Sequence, residues 1–123
     1  MKAIIVTTGN EAKTVELNTK ELMRELNHAV HGWIEIVRPQ NIQGGMPLPY
    51  GAVMVVNEEG RLIRLPRNAF GSLVYGGIIA GDVVIICEGM TDEGPDFIDF
   101  NEHDFLILEA TVRKWCDKIS RIP

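Results

Sequence analysis

The segment VVNEEGRLIRLPRN, residues 55–68, decides the expected fold because it reads as two apolar arms on either side of a turn. Asn57 at the first position of NEEG and Gly60 at the fourth suit a type I turn that is followed by a left-handed residue. Asn57 is expected to bond the turn backbone, and Gly60 is expected to take a positive φ without steric cost. The segment therefore predicts that residues 53–65 fold back as paired strands, which Pro66 ends.

The second arm carries three arginines, and these raise the question of a binding site. An arginine guanidinium holds a phosphate or carboxylate with two parallel hydrogen bonds, and a neighbouring Asn can read an amide. On an extended strand Arg61 and Arg64 point to opposite faces, so at most part of the trio acts together. A solvated hairpin with Glu–Arg pairs is the alternative. The candidate ligand-binding residues are Glu35, Asn57, Glu58, Arg61, Arg64, Arg67 and Asn68.

Upstream of this segment the patterns predict a hairpin, a helix and a strand. The runs KAIIVTT and KTVEL are rich in β-formers and are separated by Gly9-Asn10, a turn signal. Asn18 suits the N-cap of a helix in a capping box with Glu21, and Gly32 suits a left-handed stop. The run WIEIVRP alternates as a strand does and ends at Pro39. Loop 40–51 then contains Met46, Leu48 and Tyr50, and it reads as a packed loop or a lid.

Downstream, Gly71, Gly76 and Gly77 predict a broken, irregular connection. The run DVVIICEG that follows is almost continuously apolar, which is typical of a central strand buried on both faces. Asp82 just before it is expected to bond backbone amides. The run DFIDF indicates a short edge strand.

Asn101 is expected to cap a final helix with an apolar stripe at helical spacing. Residues 105–112 also fit a strand, and this alternative stays open at the level of sequence. The stripe consists of Phe105, Leu108, Val112, Trp115, Cys116 and Ile119.

These elements predict a single α+β domain over residues 1–123, with residues 105–123 as a C-terminal extension. We expect a mostly antiparallel, curved sheet or a partly open barrel, one long helix in the N-terminal half, and a C-terminal helix. With 123 residues, 46% of them apolar, the chain is long enough for a sizeable core. No apolar run approaches the roughly 20 residues that span a bilayer. The start reads as a strand rather than a signal peptide, so a cytoplasmic location is expected.

The charge pattern is asymmetric along the chain. Residues 68–112 contain no Lys or Arg, whereas they contain nine of the seventeen acidic residues. A face of one sign attracts a cation or a basic partner protein, and a solvated acidic loop is the alternative. The acidic half argues against nonspecific nucleic-acid binding, since phosphates would be repelled. The expected partner-contact residues are Asp92, Glu93, Asp96 and Asp99.

The sequence contains no recognisable motif for a metal, a cofactor or catalysis. His28 and His31 share a helix face, but neither they nor the distant His103 stand at the spacing of a metal site. Cys87 and Cys116 lie among apolar neighbours, as buried, reduced thiols do. Neither a phosphate loop nor a nucleophile elbow is present. We therefore expect no catalytic residue, no metal and no cofactor, although a spatial triad can escape a sequence scan.

Three motifs together resemble the domain-of-unknown-function family DUF3846. They are the run Gly32–Val37, the hairpin Val56-Asn57-Glu58 with Gly60, Leu62, Leu65 and Asn68, and Gly81-Asp82 with Ile85. The resemblance covers roughly residues 2–105, with a longer loop 40–51 and an extended C-terminal tail as departures. It implies an origin in bacteria, their phages or mobile elements, and it supplies no catalytic residues.

The leading functional expectation is a non-enzymatic binding module of a mobile element that contacts a host protein. The alternatives are sequestration of a small anionic ligand, such as a nucleotide, and an unrecognised enzyme. Such a fold is also compatible with a homo-oligomer that forms through a free sheet edge.

Overall fold

The computed structural model describes residues 1–122, which form a six-stranded antiparallel sheet and three α-helices. The sheet is open, and the predicted α+β class is confirmed. Two short 3₁₀ turns, Thr19–Glu21 and Pro39–Asn41, precede the first helix and follow the third strand. In chain order the elements are β1 (Lys2–Val6), β2 (Ala12–Glu16), α1 (Leu22–Val30), β3 (Ile34–Val37), β4 (Ala52–Asn57), α2 (Ala69–Tyr75), β5 (Val83–Thr91), β6 (Gly94–Ile98) and α3 (Glu102–Ser120).

Strand β5 is the centre of the sheet, whose order is β2-β1-β5-β4-β3. Its first five residues, Val83 to Cys87, are buried, as the apolar run predicted. Cys87 pairs with Ala52 of β4 and also with Ile98 of β6. Strand β6 therefore lies on the side of β5 that β1 occupies nearer its start.

The buried side chains form two groups, one on each face of the sheet. On one face Leu26 and Val30 of α1 pack with the strand residues Val53, Val55 and Ile86. The opposite face packs against α2 and α3, so the sheet is the middle of three layers. That second group includes Ile4, Met54, Val83, Ile85, Phe70, Val74, Phe105, Leu108, Val112 and Cys116.

The predicted second arm of the central hairpin is wrong. Strand β4 ends at Asn57, and residues 58–64 form successive turns in which Ile63 N donates to Glu59 O at 3.0 Å and Leu65 N donates to Gly60 O at 2.9 Å. The physical reason is that β4 already pairs with β3 along one edge and with β5 along the other. No edge remains to receive another strand.

The predicted conformation of Gly60 is also wrong, because the left-handed φ in this turn belongs to Arg64 at 58°. Gly60 is needed for a different reason: a Cβ there would lie 2.6 Å from the backbone O of Ala80. The predicted bond from Asn57 to the turn backbone is present, since Glu59 N donates to Asn57 Oδ1 at 2.8 Å.

The connection that the glycines indicated is in fact helical. Helix α2 runs over Ala69–Tyr75, with Asn68 at its N-cap and Gly76 at its C-cap with φ 85°. A Cβ at Gly71 would lie 3.0 Å from Ile79 Cγ2, so this glycine permits close packing of the helix rather than breaking it.

Loop 40–51 packs against the end of α2. Gln43 N donates to Tyr75 O at 2.8 Å and Met46 N donates to Leu73 O at 3.3 Å, which satisfies carbonyls that the helix end leaves free. Ile42 and Leu48 pack against the core. The packed form of the loop is therefore the one present.

The predicted N-cap and C-terminal stop of α1 are wrong, whereas the predicted cap of α3 is present. Asn18 caps the 3₁₀ turn Thr19–Glu21, and α1 begins after Glu21, whose side chain forms no capping bond. Asn18 accepts from Lys20 N, but its own N–H donates to Glu25 Oε2 at 2.6 Å instead of to Glu21, which replaces the expected capping box. The left-handed residue after α1 is His31 and not Gly32. Asn101 caps α3, and residues 105–112 are helical, which decides the alternative that the sequence left open.

Candidate functional site

One candidate site is a cleft of about 190 Å³ between the end of β4, the turn that follows it and residues 78–80. We call it the turn cleft. Its apolar floor includes Val37, Val56 and Ile79, and Tyr75 of α2 lies at its side. The structure brings four of the predicted ligand-binding residues together here, namely Glu35, Asn57, Glu58 and Arg61, and adds Glu59.

Asn57 holds the turn cleft in shape. Its side chain is buried, and Nδ2 donates to Val30 O at the end of α1 at 2.9 Å while Oδ1 accepts from Glu59 N. A Cβ at Gly32 would lie 2.7 Å from Asn57 Nδ2, so glycine at that position leaves room for the amide. Both polar atoms of the Asn57 amide therefore form hydrogen bonds to the backbone, and these bonds position the turn at the rim of the cleft.

The charges of the turn cleft are mainly negative. Glu35, Glu58 and Glu59 are exposed carboxylates, and Arg61 is the cation beside them. In residues 1–122 none of these four side chains forms an ion pair within 4.0 Å, so the expected Glu–Arg pairs at the turn are absent. The carboxylates and the guanidinium are free to meet a ligand.

The other three predicted residues lie elsewhere. Arg64 is exposed on the turn, and Arg67 pairs its backbone with Ala80 while its side chain lines a groove between α2 and α3. Asn68 is 0% exposed. Its Nδ2 donates to Val6 O at 2.9 Å and to Gly81 O at 3.0 Å, and its Oδ1 accepts from Gly71 N at 2.8 Å. Asn68 is therefore a structural cap and is not available to a ligand.

A second candidate site is a two-stranded ribbon, residues 89–98, which we call the acidic arm. Beyond the bond from Glu88 N to Gly51 O, β5 pairs only with β6 among the residues that the structure describes. The ribbon thus extends past both β4 and β1. Asp92 and Glu93 form its tip, and Asp96 lies on β6.

The two faces of the acidic arm differ because opposite residues in an antiparallel pair share a face. Met90 lies opposite Pro95, and Phe97 lies opposite Glu88 on the same face. Met90 is 79% exposed, and Phe97 is partly buried against the α1 side of the sheet. The arm therefore combines an apolar face with exposed carboxylates, and Asp99 follows it directly.

A bidentate ion pair fastens the base of the acidic arm. Arg38 Nε lies 2.6 Å from Glu88 Oε1, and Arg38 Nη2 lies 2.9 Å from Glu88 Oε2. The hydrogen bonds that Arg38 donates to this carboxylate raise the pKa of the Arg38 guanidinium. The pair ties the start of the ribbon to the residue that follows β3, so the arm leaves a rigid base.

Among the histidines, His31 contacts the carboxylate of Asp82. His31 Nε2 lies 3.5 Å from Asp82 Oδ2, and Asp82 Oδ1 accepts from Thr8 N at 3.0 Å, as the sequence predicted for Asp82. Residues 1–122 contain no group of three His, Cys, Asp or Glu side chains placed to hold a metal ion.

Four of the seven predicted ligand-binding residues line the turn cleft, but the prediction did not include Glu59 and Tyr75, which also line it. Glu59 lies in the turn NEEG between the predicted residues Glu58 and Arg61, so its position in the sequence could have identified it. Tyr75 lies at the cleft because it is the last residue of α2. The sequence did not indicate this, because Gly71, Gly76 and Gly77 predicted an irregular connection instead of a helix. The extension of the acidic arm beyond its neighbouring strands could not be predicted from the local sequence either. It depends on where the pairing of β5 with β4 and β1 ends.

Comparisons with known proteins support the resemblance that the motifs suggested. No curated protein and no solved structure matches the chain significantly. Within the part of the chain that is described, no helix has both the length and the apolar character that crossing a membrane requires. Residues 1–113 match the family described as Domain of unknown function (DUF3846), and the chain therefore belongs to that family.

Proposed function

We propose that this protein is a non-enzymatic binding module that contacts another protein through the acidic arm and Asp99. The observation that carries the proposal is a ribbon that extends beyond its neighbouring strands with exposed carboxylates beside an exposed apolar face. The resemblance adds the setting that we propose, a cytoplasmic accessory protein of a bacterial mobile element or phage that engages a host protein.

The charge of the acidic arm supports a basic partner. Asp92, Glu93 and Asp96 form no ion pair within 4.0 Å in residues 1–122, and no Lys or Arg occurs between residues 68 and 112. Complementary charge speeds encounter and excludes partners of the same sign.

The apolar face of the acidic arm would add to the affinity for a partner protein, whereas the charges mainly speed the encounter. Met90 and Pro95 are exposed side by side, and Phe97 continues the same face toward the base. Aromatic and Met side chains are enriched in protein interfaces, and burying Met90 and Pro95 removes apolar surface from water. The Arg38–Glu88 pair keeps the base ordered, which limits the entropy lost on binding.

Charge reversal tests this proposal. We expect Asp92, Glu93, Asp96 and Asp99 replaced together by Lys to weaken capture of partner proteins from bacterial lysate at least about tenfold, because attraction becomes repulsion. The matched control reverses Glu11, Glu58, Glu59 and Asp117, which are exposed acids outside the arm. Quantitative mass spectrometry of the captured proteins compares the two variants with the wild type. Partners that stay bound to the arm variant would contradict the proposal, and partners lost only from the control would point to a contact surface outside the arm.

A second candidate function is favoured by the turn cleft. The nucleotide suggested by the sequence required several arginines and Asn68 to act together, yet Arg61 alone among them lines the cleft, beside three carboxylates. We therefore propose a narrower ligand class: a small anion that also carries a positive group, such as an amino acid. Arg61 would meet the anionic group, and the glutamates would meet the positive one.

Ligand screening tests the second candidate. A ligand that binds only the native state raises the melting temperature, so thermal shift against amino acids and nucleotides is the measurement. We expect a shift with a zwitterion that Arg61→Gln removes and Arg64→Gln keeps. No shift with any compound, or a nucleotide shift that depends equally on Arg64, would contradict this ligand class.

A further inference from the structure

A groove between α2 and the last turns of α3 is unused by either proposed site. Its volume is about 520 Å³. We call it the helix groove. Leu73 of α2 and Ile122 after α3 line it and are exposed to solvent, and Trp115 and Ile119 of α3 are partly buried there.

The helix groove is basic at its rim. Arg67 and Lys118 line it, and within residues 1–122 no Asp or Glu does. Lys118 Nζ lies 5.2 Å from the centre of the Trp115 ring, which holds the ammonium over the apolar wall. The nearby Asp117 is engaged by Arg121 Nη2 at 2.9 Å. An occupant that fits this lining has an apolar face with carboxylates beside it.

The acidic arm has this chemistry. Met90, Pro95 and Phe97 give the apolar face, and Asp92 and Glu93 lie at the adjoining tip. The arm and the groove stand near opposite ends of α3, because β6 ends just before Glu102 while the groove begins at Trp115. At 1.5 Å per residue, Glu102 and Trp115 are separated by about 20 Å along the helix axis. The acidic arm of a molecule therefore does not reach the helix groove of the same molecule, and an arm that binds in the groove belongs to another molecule.

We infer that the helix groove receives the acidic arm of a second copy of this chain. This inference rests on the proposed function of the arm as a contact surface, and it names one of its partners. The contact is head-to-tail: each molecule supplies one arm and one groove, so the assembly closes as a dimer or ring or continues as a chain. A ribbon of ten residues forms a small interface, so the association is weak and depends on concentration and salt.

A charge-swap experiment tests the inference. The arm variant carries Asp92→Lys, Glu93→Lys and Asp96→Lys, and the groove variant carries Arg67→Glu and Lys118→Glu. Each variant alone is expected to associate at least about tenfold more weakly than the wild type, because like charges then meet at the contact. An equal mixture restores opposite charges at both contacts, so association returns to within about threefold of the wild type. Sedimentation velocity between low and high micromolar concentration measures the mass distribution.

The control variant carries Lys13→Glu and Lys20→Glu, which changes the net charge as the groove variant does but lies on β2 and before α1. It is expected to associate as the wild type does, and melting curves establish that every variant is folded. A wild type that stays monomeric, or a mixture that is not restored, would overturn the inference. If the wild type is monomeric while the arm variant still loses its lysate partners, the proposed function stands and self-association falls. If reversal of the arm changes neither readout, the proposed function itself falls.

Discussion

At the scale of the residue, Gly60 shows how one residue type can be required for two different reasons. The turn pattern assigns it a positive φ, but the positive φ of this turn is at Arg64, and Gly60 instead lies against the backbone of Ala80. Local pattern identifies that a glycine is needed here. It does not identify the neighbour that makes a side chain impossible, because Ala80 is twenty residues away in sequence.

We predict that Gly60→Ala destabilises the protein by roughly 1–3 kcal/mol, because the added methyl forces a backbone shift in a packed region. The free energy of unfolding from urea titration is the measurement. Gly9→Ala is the control: the nearest atom to its Cβ, Thr7 Oγ1, is 3.7 Å away, and its effect is expected within about 0.5 kcal/mol. Equal losses in the two variants would show that the close approach to Ala80 does not matter.

At the scale of the element, α2 explains why Asn68 is a buried cap and not an exposed residue of the turn cleft. At the level of sequence, Gly71, Gly76 and Gly77 favour an irregular connection, so Asn68 is assigned to the ligand site and not to a helix cap. In the fold the Asn68 amide links the start of α2 to β1 and to the turn before β5. A side chain that satisfies three backbone groups in the interior has no remaining freedom to bind a ligand.

We predict that Asn68→Ala costs roughly 2–4 kcal/mol of stability, since it removes the cap of α2 and the two hydrogen bonds that the buried Nδ2 donates to Val6 O and Gly81 O. Asn101→Ala is the comparison, because it removes the cap of α3 at an exposed site and is expected to cost about 1 kcal/mol. Urea unfolding of both variants under the same conditions gives the two values. A smaller loss for Asn68→Ala than for Asn101→Ala would contradict the structural role assigned here.

At the scale of the whole molecule, the sheet separates two apolar layers, and both thiols lie in the layer that contains α2 and α3. Burial raises the pKa of the Cys87 thiol above its ordinary 9.0, with Asp104 and Asp99 adding to the shift. Burial also raises the pKa of Cys116, while Arg113 acts in the opposite direction. The native state therefore keeps both protons to a higher pH than the unfolded chain does.

The pH dependence follows from this sign. Below about pH 9 both states hold the thiol protons, so the contribution is constant; above it the unfolded chain releases them first, and stability falls. The limit of this slope is about 1.4 kcal/mol per pH unit for each thiol. We predict that the stability difference between the wild type and Cys87→Ala shrinks from pH 7.5 to pH 10. Urea titration in reductant measures it, and a constant difference would contradict the buried thiol.

The sequence by itself determined what depends on neighbouring residues: the central strand, the cap at Asn101, the apolar stripe of α3 and the family motifs. Tertiary structure alone decided which edges were free. Because β3 and β5 occupy both edges of β4, residues 61–64 form turns and not a strand. As a result Arg61 is separated from Arg67, and the turn cleft is mainly acidic. In the same way the acidic arm exists because β4 and β1 stop before β5 does. Which strands pair depends on segments that are distant in the sequence, so local strand propensity does not predict the result.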